Sequence, residues 1–139
     1  MTQDERNLLM KDLGARLLHH VKVRYSSTKQ FFVCNLQAMN PSYTMVDLWS
    51  KDGCFTSVHV DKIKPYLFPM SSMTEEQREK YESLCETSYS RHYDCGPIAY
   101  KTKFHDTVES IDYLIENHFD YRGLIPMGLA LDATNLNIY

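Results

Sequence analysis

The hydrophobic and polar positions follow two different periods in the two halves of the chain. Between residues 17 and 60, apolar and polar side chains mostly alternate, as they do on a strand with one wet face. After residue 73, the apolar positions recur every three or four residues, as they do on a helix with one buried face. The pattern predicts an α+β protein with a sheet-forming front half and a helix-forming back half.

A segment bracketed by prolines, residues 63–73, separates the two halves. Pro65 and Pro69 fix φ and remove two backbone donors, so we expect the sheet to end at this segment. Its apolar side chains are too many for a solvated linker, and burying each of them is worth roughly 1.5 to 3 kcal/mol. We therefore expect a strap that packs against the core. These side chains are Tyr66, Leu67, Phe68, Met70 and Met73.

The front half predicts a short helix followed by four strands. Three leucines recur at helical spacing over residues 4–13, and Gly14 is placed to end that helix. Turn residues then divide the alternating region into four runs, and Asp52-Gly53 is typical of a type I′ hairpin. Consecutive strands of this kind predict an antiparallel meander, either closed as a small SH3-like barrel or left as a curled sheet. The runs are residues 17–25, 30–39, 43–49 and 55–60.

The back half predicts two helices packed on that sheet. Thr74 stands three residues before Gln77, which is the spacing of a capping box, so we expect a helix to start at Thr74. Asp106 is placed to cap a second helix, whose apolar residues follow at helical intervals. We also expect a final short strand at residues 129–131.

Residues 90–104, between the two predicted helices, show no clean period and contain Gly96-Pro97. We expect a loop there, and an extended piece at residues 98–103 remains open. The whole chain is expected to form a single domain of three parts. The parts are a mainly β subdomain (1–62), the strap (63–73) and a mainly α subdomain (74–139).

Length and composition indicate one globular domain. The chain has 139 residues, of which 43% are hydrophobic and 24% are charged, so it can bury a real core. Its net charge of −3 gives no general attraction to nucleic acid or to an anionic membrane. No apolar run approaches the length that spans a bilayer, and the first residues lack the apolar region of a signal peptide. We therefore expect a cytoplasmic protein that does not engage a membrane.

Side chains that could carry chemistry are dispersed along the sequence. The four cysteines show no CxxC pair and no disulfide-scaffold density, so we expect reduced thiols. Of the possible zinc ligands, only His92 and Cys95 are close enough in sequence to form a pair. The chain has no G-x-S-x-G turn and no phosphate-binding loop. We therefore predict no metal, no cofactor and no catalytic residue, and we prefer a binding protein to an enzyme. The metal candidates are Cys85, His92, Cys95 and His105, and the catalytic candidates are His92, Cys95, His105 and Asp106.

Basic and aromatic residues of the predicted sheet form a first candidate interface. On one face of a barrel they could offer stacking surfaces and phosphate contacts to a nucleic acid. The ordinary explanation is that Lys and Arg on the exposed side of a strand serve solubility. These residues are Lys22, Arg24, Tyr25, Lys29, Phe31 and Trp49.

A second candidate interface lies near the C-terminus. We expect Asp120 to cap a short helix that Gly128 ends, and Tyr121 and Arg122 to pack onto a neighbouring helix, which is a structural role. If these two side chains are exposed instead, they are of the types enriched at binding hot spots. The full set of predicted interface residues is Lys22, Arg24, Tyr25, Trp49, Tyr93, Tyr121 and Arg122.

Three strings of the sequence carry a resemblance to a known group of proteins. They are LLMKDLGARLLHHVKV, IKPYLFPMSSMTEEQ and DYLIENHFDYRGLIPMGLALDA. They resemble short proteins that recur in the genomes of gut bacteria, in prophages and in phages, and they cover both ends of the chain and its centre. The resemblance implies no known activity, so no catalytic role is transferred. It implies an accessory factor of a mobile element that acts in the cytoplasm of the host cell.

The preferred hypothesis is a protein that binds a host protein partner, such as a component of host defence, without catalysis. One alternative is a small barrel that binds nucleic acid. The other is a protein that binds a small ligand such as a nucleotide, which a deep pocket lined by Tyr, His and Arg would favour.

Overall fold

The described part of the protein folds into three α-helices and eight β-strands. The computed structural model describes residues 1–28, 30–92 and 99–139, and the side chains at 90–101 are outside the described part. Lys29, Tyr93 and Cys95 therefore lie outside the described residues. The helices are α1 (Gln3–Arg16), α2 (Glu75–Leu84) and α3 (Val108–Glu116). The strands are β1 (Lys22–Ser26), β2 (Phe31–Asn40), β3 (Met45–Ser50), β4 (Phe55–His59), β5 (Ile63–Leu67), β6 (Glu86–His92), β7 (Ala99–His105) and β8 (Leu131–Asp132).

Six of these strands form one open sheet in the order β4-β3-β2-β1-β5-β8. Strands β5 and β8 run parallel, and the other neighbours run antiparallel. The meander from β1 to β4 is as predicted, except that Leu17–His19 form a short 3-10 helix, so the first strand begins at Lys22 and not at residue 17. The α+β class is confirmed. The prediction of a four-stranded sheet is wrong, because β5 and β8 extend the sheet beyond β1. The final short strand expected at residues 129–131 is found at Leu131–Asp132, as β8. The predicted barrel is not closed, because in the described part of the chain the edge strands β4 and β8 do not pair with each other.

The predicted strap begins as a strand of this sheet. Strand β5 pairs with β1, and Pro65 lies opposite Val23. The carbonyl of Leu67 accepts a hydrogen bond from the N–H of Ala133 (2.8 Å), on the β8 side. Because backbone groups alternate along a strand, the missing N–H of Pro65 also faces that side and removes no bond from the β1–β5 ladder. The expectation that the sheet ends here is therefore wrong, whereas the expected burial is observed, since Leu67 is fully buried.

The core lies between α1 and one face of the sheet. Leu9 and Leu13 of α1 are fully buried and pack with the inward residues of β1 to β5. Helix α1 begins with a capping box at Thr2 and continues through Gly14 to Arg16. The predicted end at Gly14 is wrong, because the buried side chain of Arg16 anchors one more turn. The other residues of this core are Val21, Val23, Cys34, Leu36, Val46, Leu48, Val58, Val60, Ile63, Leu67, Leu124, Leu129 and Ala130.

The chain divides into two compact units. Residues 1–72 and 115–139 form the first unit, which contains α1 and the six-stranded sheet. Residues 73–114 form the second unit, which contains α2, strands β6 and β7, and most of α3. The C-terminal residues therefore group with the sheet and not with α2.

In the second unit, α2 begins where the capping box predicts. The N–H of Gln77 donates to the Thr74 hydroxyl (3.2 Å), and the Thr74 N–H donates to the Gln77 side chain (2.9 Å). The predicted loop is wrong at residues 90–92, which belong to β6, whereas the extended piece left open at 98–103 corresponds to β7, which pairs antiparallel with β6. The rest of that loop, residues 93–98, lies outside the described residues. A weak sign of β7 is present in the sequence, because Thr102 and Phe104 alternate with Lys103 and His105.

Helix α3 is capped by Thr107 and not by Asp106. The N–H of Ser110 donates to the Thr107 hydroxyl (3.1 Å), and the Thr107 N–H donates to the Ser110 hydroxyl (2.8 Å). Asp106 instead accepts hydrogen bonds from the hydroxyls of Tyr81 (2.5 Å) and Ser110 (3.2 Å). Burial and this contact with Asp106 raise the pKa of Tyr81. These two hydrogen bonds give the Asp106 carboxylate a structural role within the second unit.

Candidate interaction surface

The register of the six-stranded sheet separates a core face from an outer face. Val23 and Cys34 lie opposite each other on β1 and β2, and both are buried. Since side chains alternate along a strand, the residues beside them point to the outer face. A row of four outer residues crosses β1, β2, β3 and β4, each directly opposite the next. At about 4.8 Å per strand, the row is about 14 Å long. Its members are Lys22, Asn35, Trp49 and Phe55.

Three large aromatic side chains on the outer face are exposed. Phe31 is 68% exposed, Phe55 59% and Trp49 44%. Single exposed apolar residues are common, but Trp49 and Phe55 lie directly opposite each other on β3 and β4, and adjacent exposed rings are of the kind that marks an interaction site. Three basic residues lie on the same face. We define the outer aromatic face as Lys22, Arg24, Phe31, Trp49, Phe55 and Lys64.

The basic side chains are held beside these rings by specific contacts. The guanidinium carbon of Arg24 lies 4.6 Å from the centre of the Phe31 ring, in a cation–π contact. The amine of Lys22 donates to the side-chain oxygen of Asn35 (2.8 Å). Lys64 lies opposite Arg24 on β5. The face therefore combines apolar rings with fixed positive charge, which suits a partner that has apolar anchors and acidic neighbours.

Tyr25, predicted to share this face, points to the other side of the sheet. Its ring stacks on Phe32, with centroids 6.2 Å apart and an interplanar angle of 25°. A cavity of about 260 Å³ opens beside the two rings, and Asp52 and Thr56 are among the residues that line it. Among the described lining residues there is no Lys or Arg, and the negative charge of the Asp52 carboxylate would repel a phosphate group. The cavity therefore does not favour a nucleotide ligand.

Tyr121 and Arg122 lie apart from the outer aromatic face, in a charged cluster with α1. Asp12 and Arg16 are fully buried and pair at 2.7 Å, one turn apart on the helix. Arg16 also donates to the carbonyl of Phe119 (2.7 Å). Nε of Arg122 lies 3.3 Å from an Asp12 oxygen, and its guanidinium carbon lies 4.7 Å from the Tyr121 ring centre. The two side chains are half-buried, and these contacts agree with the structural role preferred from the sequence.

Asp120 organises the turn that follows this cluster. Its two carboxylate oxygens accept hydrogen bonds from the backbone N–H groups of Leu124 and Ile125, both at 2.8 Å. Asp120 therefore caps this segment as expected, but the prediction of a short helix is wrong, because residues 121–128 form turns. Leu124 of this segment is fully buried in the core.

His118 and Tyr139 stack next to this turn, with ring centres 3.9 Å apart. The Tyr139 hydroxyl donates to the carbonyl of Tyr66 (2.7 Å) and accepts from the N–H of Lys22 (3.1 Å). Burial, aided by the positive charge of Arg16, lowers the pKa of His118 to about 4. Burial also raises the pKa of Tyr139 to about 12. A neutral histidine is therefore part of the packing that ties the last residue to the sheet.

The predicted metal and catalytic candidates are not brought together in the described residues. In the part of the chain that the structure covers, no group of three or more Cys, His, Asp or Glu side chains could hold a metal ion. His105 instead makes a 2.7 Å hydrogen bond with the Ser88 hydroxyl. The His92 side chain and all of Cys95 lie outside the described part.

Two members of the outer aromatic face, Phe55 and Lys64, belong to neither candidate interface, and Phe31 belongs to the first candidate interface but not to the full set of predicted interface residues. For Phe55 a signal was present, because a hairpin at Asp52-Gly53 pairs Trp49 with Phe55 on one face. For Lys64 there was none, because its place beside Arg24 depends on the pairing of β5 with β1 across some forty residues of sequence.

Comparison with known proteins adds no relative. No protein-family model, no curated protein and no solved structure matches the chain. Among the described residues, no helix is long and apolar enough to cross a membrane.

Proposed function

We propose that the protein is a non-catalytic accessory factor of a mobile element and binds a protein of its host through the outer aromatic face. The observation that carries the proposal is the exposure of Phe31, Trp49 and Phe55 on one face of a rigid sheet. Trp and Arg are the side chains most enriched at binding hot spots, and both lie on this face. The resemblance to phage and prophage proteins supports the host context and a cytoplasmic location.

The side chains of the outer aromatic face limit which kinds of partner surface can bind to it. The rings of Trp49 and Phe55 are directly opposite on β3 and β4, so they form one apolar platform. Arg24, stacked on Phe31, adds positive charge at one side of it. A matching partner presents an apolar side chain for the platform and a carboxylate for Arg24. Host proteins that counter mobile elements are the proposed source of this partner.

Affinity purification from the host cytoplasm tests this proposal. The wild-type protein is compared with the double variant Trp49→Ala, Phe55→Ala, which removes the platform and leaves the core face untouched. The control is Tyr43→Ala, because Tyr43 is a 72% exposed aromatic residue in the turn between β2 and β3. We expect one host protein to bind the wild type and the control, with at least a tenfold loss for the double variant, since a hot-spot residue is worth ~2 kcal/mol or more. Equal capture by all three forms would refute the role of the face.

Nucleic-acid binding is the second candidate function. It is favoured by the same interleaving of basic and aromatic side chains, since single-stranded nucleic acids bind through stacked bases and neutralised phosphates. The net charge of −3 disfavours it. A gel shift with a single-stranded oligonucleotide at low salt decides between the two. Binding that weakens with salt and disappears in Lys22→Glu, Arg24→Glu would establish it, and no shift at low salt would dismiss it.

A further inference from the structure

The two edges of the six-stranded sheet are built differently. Strand β8 ends the sheet with only two residues, and one of them is Asp132. A short, charged strand is a common protection against pairing with another chain. Strand β4 is a full edge strand of five residues, Phe-Thr-Ser-Val-His, without Lys, Asp, Glu or Pro. Its register with β3 is unbroken from Phe55 to His59, so no bulge twists this edge away.

The backbone groups that β4 turns outward can be identified from two hydrogen bonds. The N–H of Ser50 donates to the carbonyl of Cys54, and the N–H of Val60 donates to the carbonyl of Thr44, both at 2.9 Å. In an antiparallel ladder, residues that bond to the neighbour alternate with residues that face away. Residues 54, 56, 58 and 60 therefore face β3. The N–H and C=O groups of Phe55, Ser57 and His59 face away from the sheet, and no strand in the described part of the chain pairs with them.

We propose that a second copy of this chain pairs with β4 in antiparallel orientation, about a two-fold axis at Ser57. Ser57 then lies opposite Ser57 of the second copy, and Phe55 lies opposite His59. Because all three residues face outward, every outward N–H of each copy meets an outward C=O of the other. A register displaced by one residue would place inward-bonded groups against outward ones, and a register displaced by two would pair only two of the three outward residues. The axis at Ser57 therefore forms the most backbone hydrogen bonds.

The side chains are compatible with the same axis. On the outer face, the Phe55 ring lies next to the His59 ring of the second copy, and aromatic pairs across strands are favourable. The His59 ring is already oriented, since Nδ1 accepts the N–H of Asp61 (3.3 Å) and Nε2 contacts the Thr44 hydroxyl (2.6 Å). On the core side, Thr56 lies opposite Val58. No charged side chain of β4 meets its like, because the strand carries no Asp, Glu, Lys or Arg.

This dimer joins the outer aromatic faces of two copies into one continuous surface. The row that ends at Phe55 continues into His59 of the second copy and onward over its sheet. The inference goes beyond the proposed function and does not rest on it, because the pairing uses backbone groups at an edge and leaves the Trp49 ring available.

Sedimentation velocity over a wide range of protein concentration tests the dimer. We expect the wild type to approach twice the chain mass of 16.3 kDa as concentration rises. Ser57→Pro removes an outward N–H that the β3–β4 ladder does not use, so it should give a folded monomer. Ser57→Ala keeps that N–H and should dimerise as the wild type does. A wild type that stays monomeric throughout, or Ser57→Pro that dimerises normally, would overturn the proposal.

A charge-swap pair locates the two-fold axis and remains decisive if Ser57→Pro fails to fold. In the dimer, residue 57 of each copy faces its own equivalent, at about 5.5 Å between Cα atoms. Ser57→Lys alone and Ser57→Asp alone should therefore lose the dimer at low salt, because like charges oppose each other. An equimolar mixture of the two should regain it as a heterodimer. A mixture that stays monomeric, or single variants that dimerise like the wild type, would show that residue 57 does not lie on the axis.

Discussion

At the residue scale, Asp12 and Arg16 form a buried ion pair that anchors α1. Both side chains are completely shielded from solvent. The sequence shows their spacing of four residues, which is typical of a solvated pair on a helix surface. In the fold, Tyr121 and Arg122, more than a hundred residues later in the chain, contact this pair. Burial of this kind depends on tertiary contacts, so the pattern along α1 could not reveal it.

Asp12→Ala should strongly destabilise the first unit. The substitution leaves the Arg16 guanidinium buried without its carboxylate, and breaking a buried pair from one side costs about 3 to 5 kcal/mol. Urea unfolding, followed by circular dichroism, measures the loss. The matched control is Lys11→Ala, an exposed neighbour on the same helix, for which the free energy of unfolding should change by about 0.5 kcal/mol or less. Similar losses for both variants would contradict the assigned burial.

His118 should make the stability depend on pH. Its pKa in the folded protein is about 4, below the ordinary 6.5, so the unfolded chain binds the proton more readily. The stabilisation is therefore complete above pH 6.5 and is lost as the pH falls towards 4, by up to about 3 kcal/mol. His118→Asn should flatten this dependence, because Asn tolerates the left-handed backbone at this position (φ 60°) and does not titrate.

The control for this pH dependence is His20→Asn. His20 is exposed and has a similar backbone conformation (φ 55°), so the chemical change is the same. Denaturation midpoints measured between pH 4 and 7 should retain the wild-type slope in this variant, since His118 is still present. A slope that survives in His118→Asn would assign the titration to another group.

At the element scale, the sequence predicted the elements that neighbouring residues encode. It did not predict those that depend on pairing with distant parts of the chain. The start of α2 was predictable because a capping box occupies four consecutive residues, Thr74 to Gln77. The β3–β4 hairpin was predictable for the same reason, since Asp52-Gly53 encodes its own turn. Strand β5 was not, because a proline in a sheet is tolerated only when its missing N–H faces away from the partner strand. That orientation follows from the pairing and not from the residues.

Alanine substitutions at Gly14 and at Gly53 should have opposite effects on the stability of the protein. Gly14 lies inside α1, and the space that an added methyl group would occupy is open, so Gly14→Ala should stabilise the protein by about 0.5 to 1 kcal/mol. Gly53 also has open space, but its φ of +79° is strained for any other residue, so Gly53→Ala should cost about 1 kcal/mol. Thermal unfolding of both variants measures the sign of each change in stability. Stabilisation by Gly53→Ala would contradict the hairpin geometry.

At the scale of the whole molecule, the second unit is inserted between two parts of the first. The insertion leaves and re-enters near a short bridge, where Phe68 pairs with Phe119. Two backbone hydrogen bonds fix this bridge, from Phe68 N–H to the His118 carbonyl (2.9 Å) and from Asp120 N–H to the Phe68 carbonyl (2.8 Å). The sequence predicted a boundary at residue 73, but it did not predict that the last 25 residues group with the sheet. The strand that joins these residues to the sheet, β8, has only two residues.

Replacing residues 73–114 by a short Gly-Ser linker should leave the first unit folded. The chain ends at the excision are already held together by the Phe68–Phe119 bridge, and a flexible linker adds little closure entropy. Circular dichroism and the dispersion of amide signals in an NMR spectrum measure the outcome. Collapse of the spectrum to that of an unfolded chain would show that the sheet needs the second unit.

The outer aromatic face could be predicted only in part from the sequence. Alternation along the strands placed Lys22, Arg24, Phe31 and Trp49 on one side of a sheet, and the structure agrees. Tyr25 was assigned to the wrong side of that interface, although its own alternation with Arg24 pointed inward. The sequence could not measure exposure, which separates Trp49 and Phe55 from the half-buried Tyr121 and Arg122.

The proposal that the outer aromatic face binds a host protein makes a specific prediction for the environment of Trp49. It is the only tryptophan in the chain, so labelling with 5-fluorotryptophan gives a single fluorine resonance from the middle of the face. We expect this resonance to shift or broaden when the co-purified host protein is added, and to remain unchanged when that protein is added to a labelled Phe31→Glu, Phe55→Glu variant. A complex that forms at full affinity while the Trp49 resonance stays where it was would show that the partner binds elsewhere, and the account would be wrong.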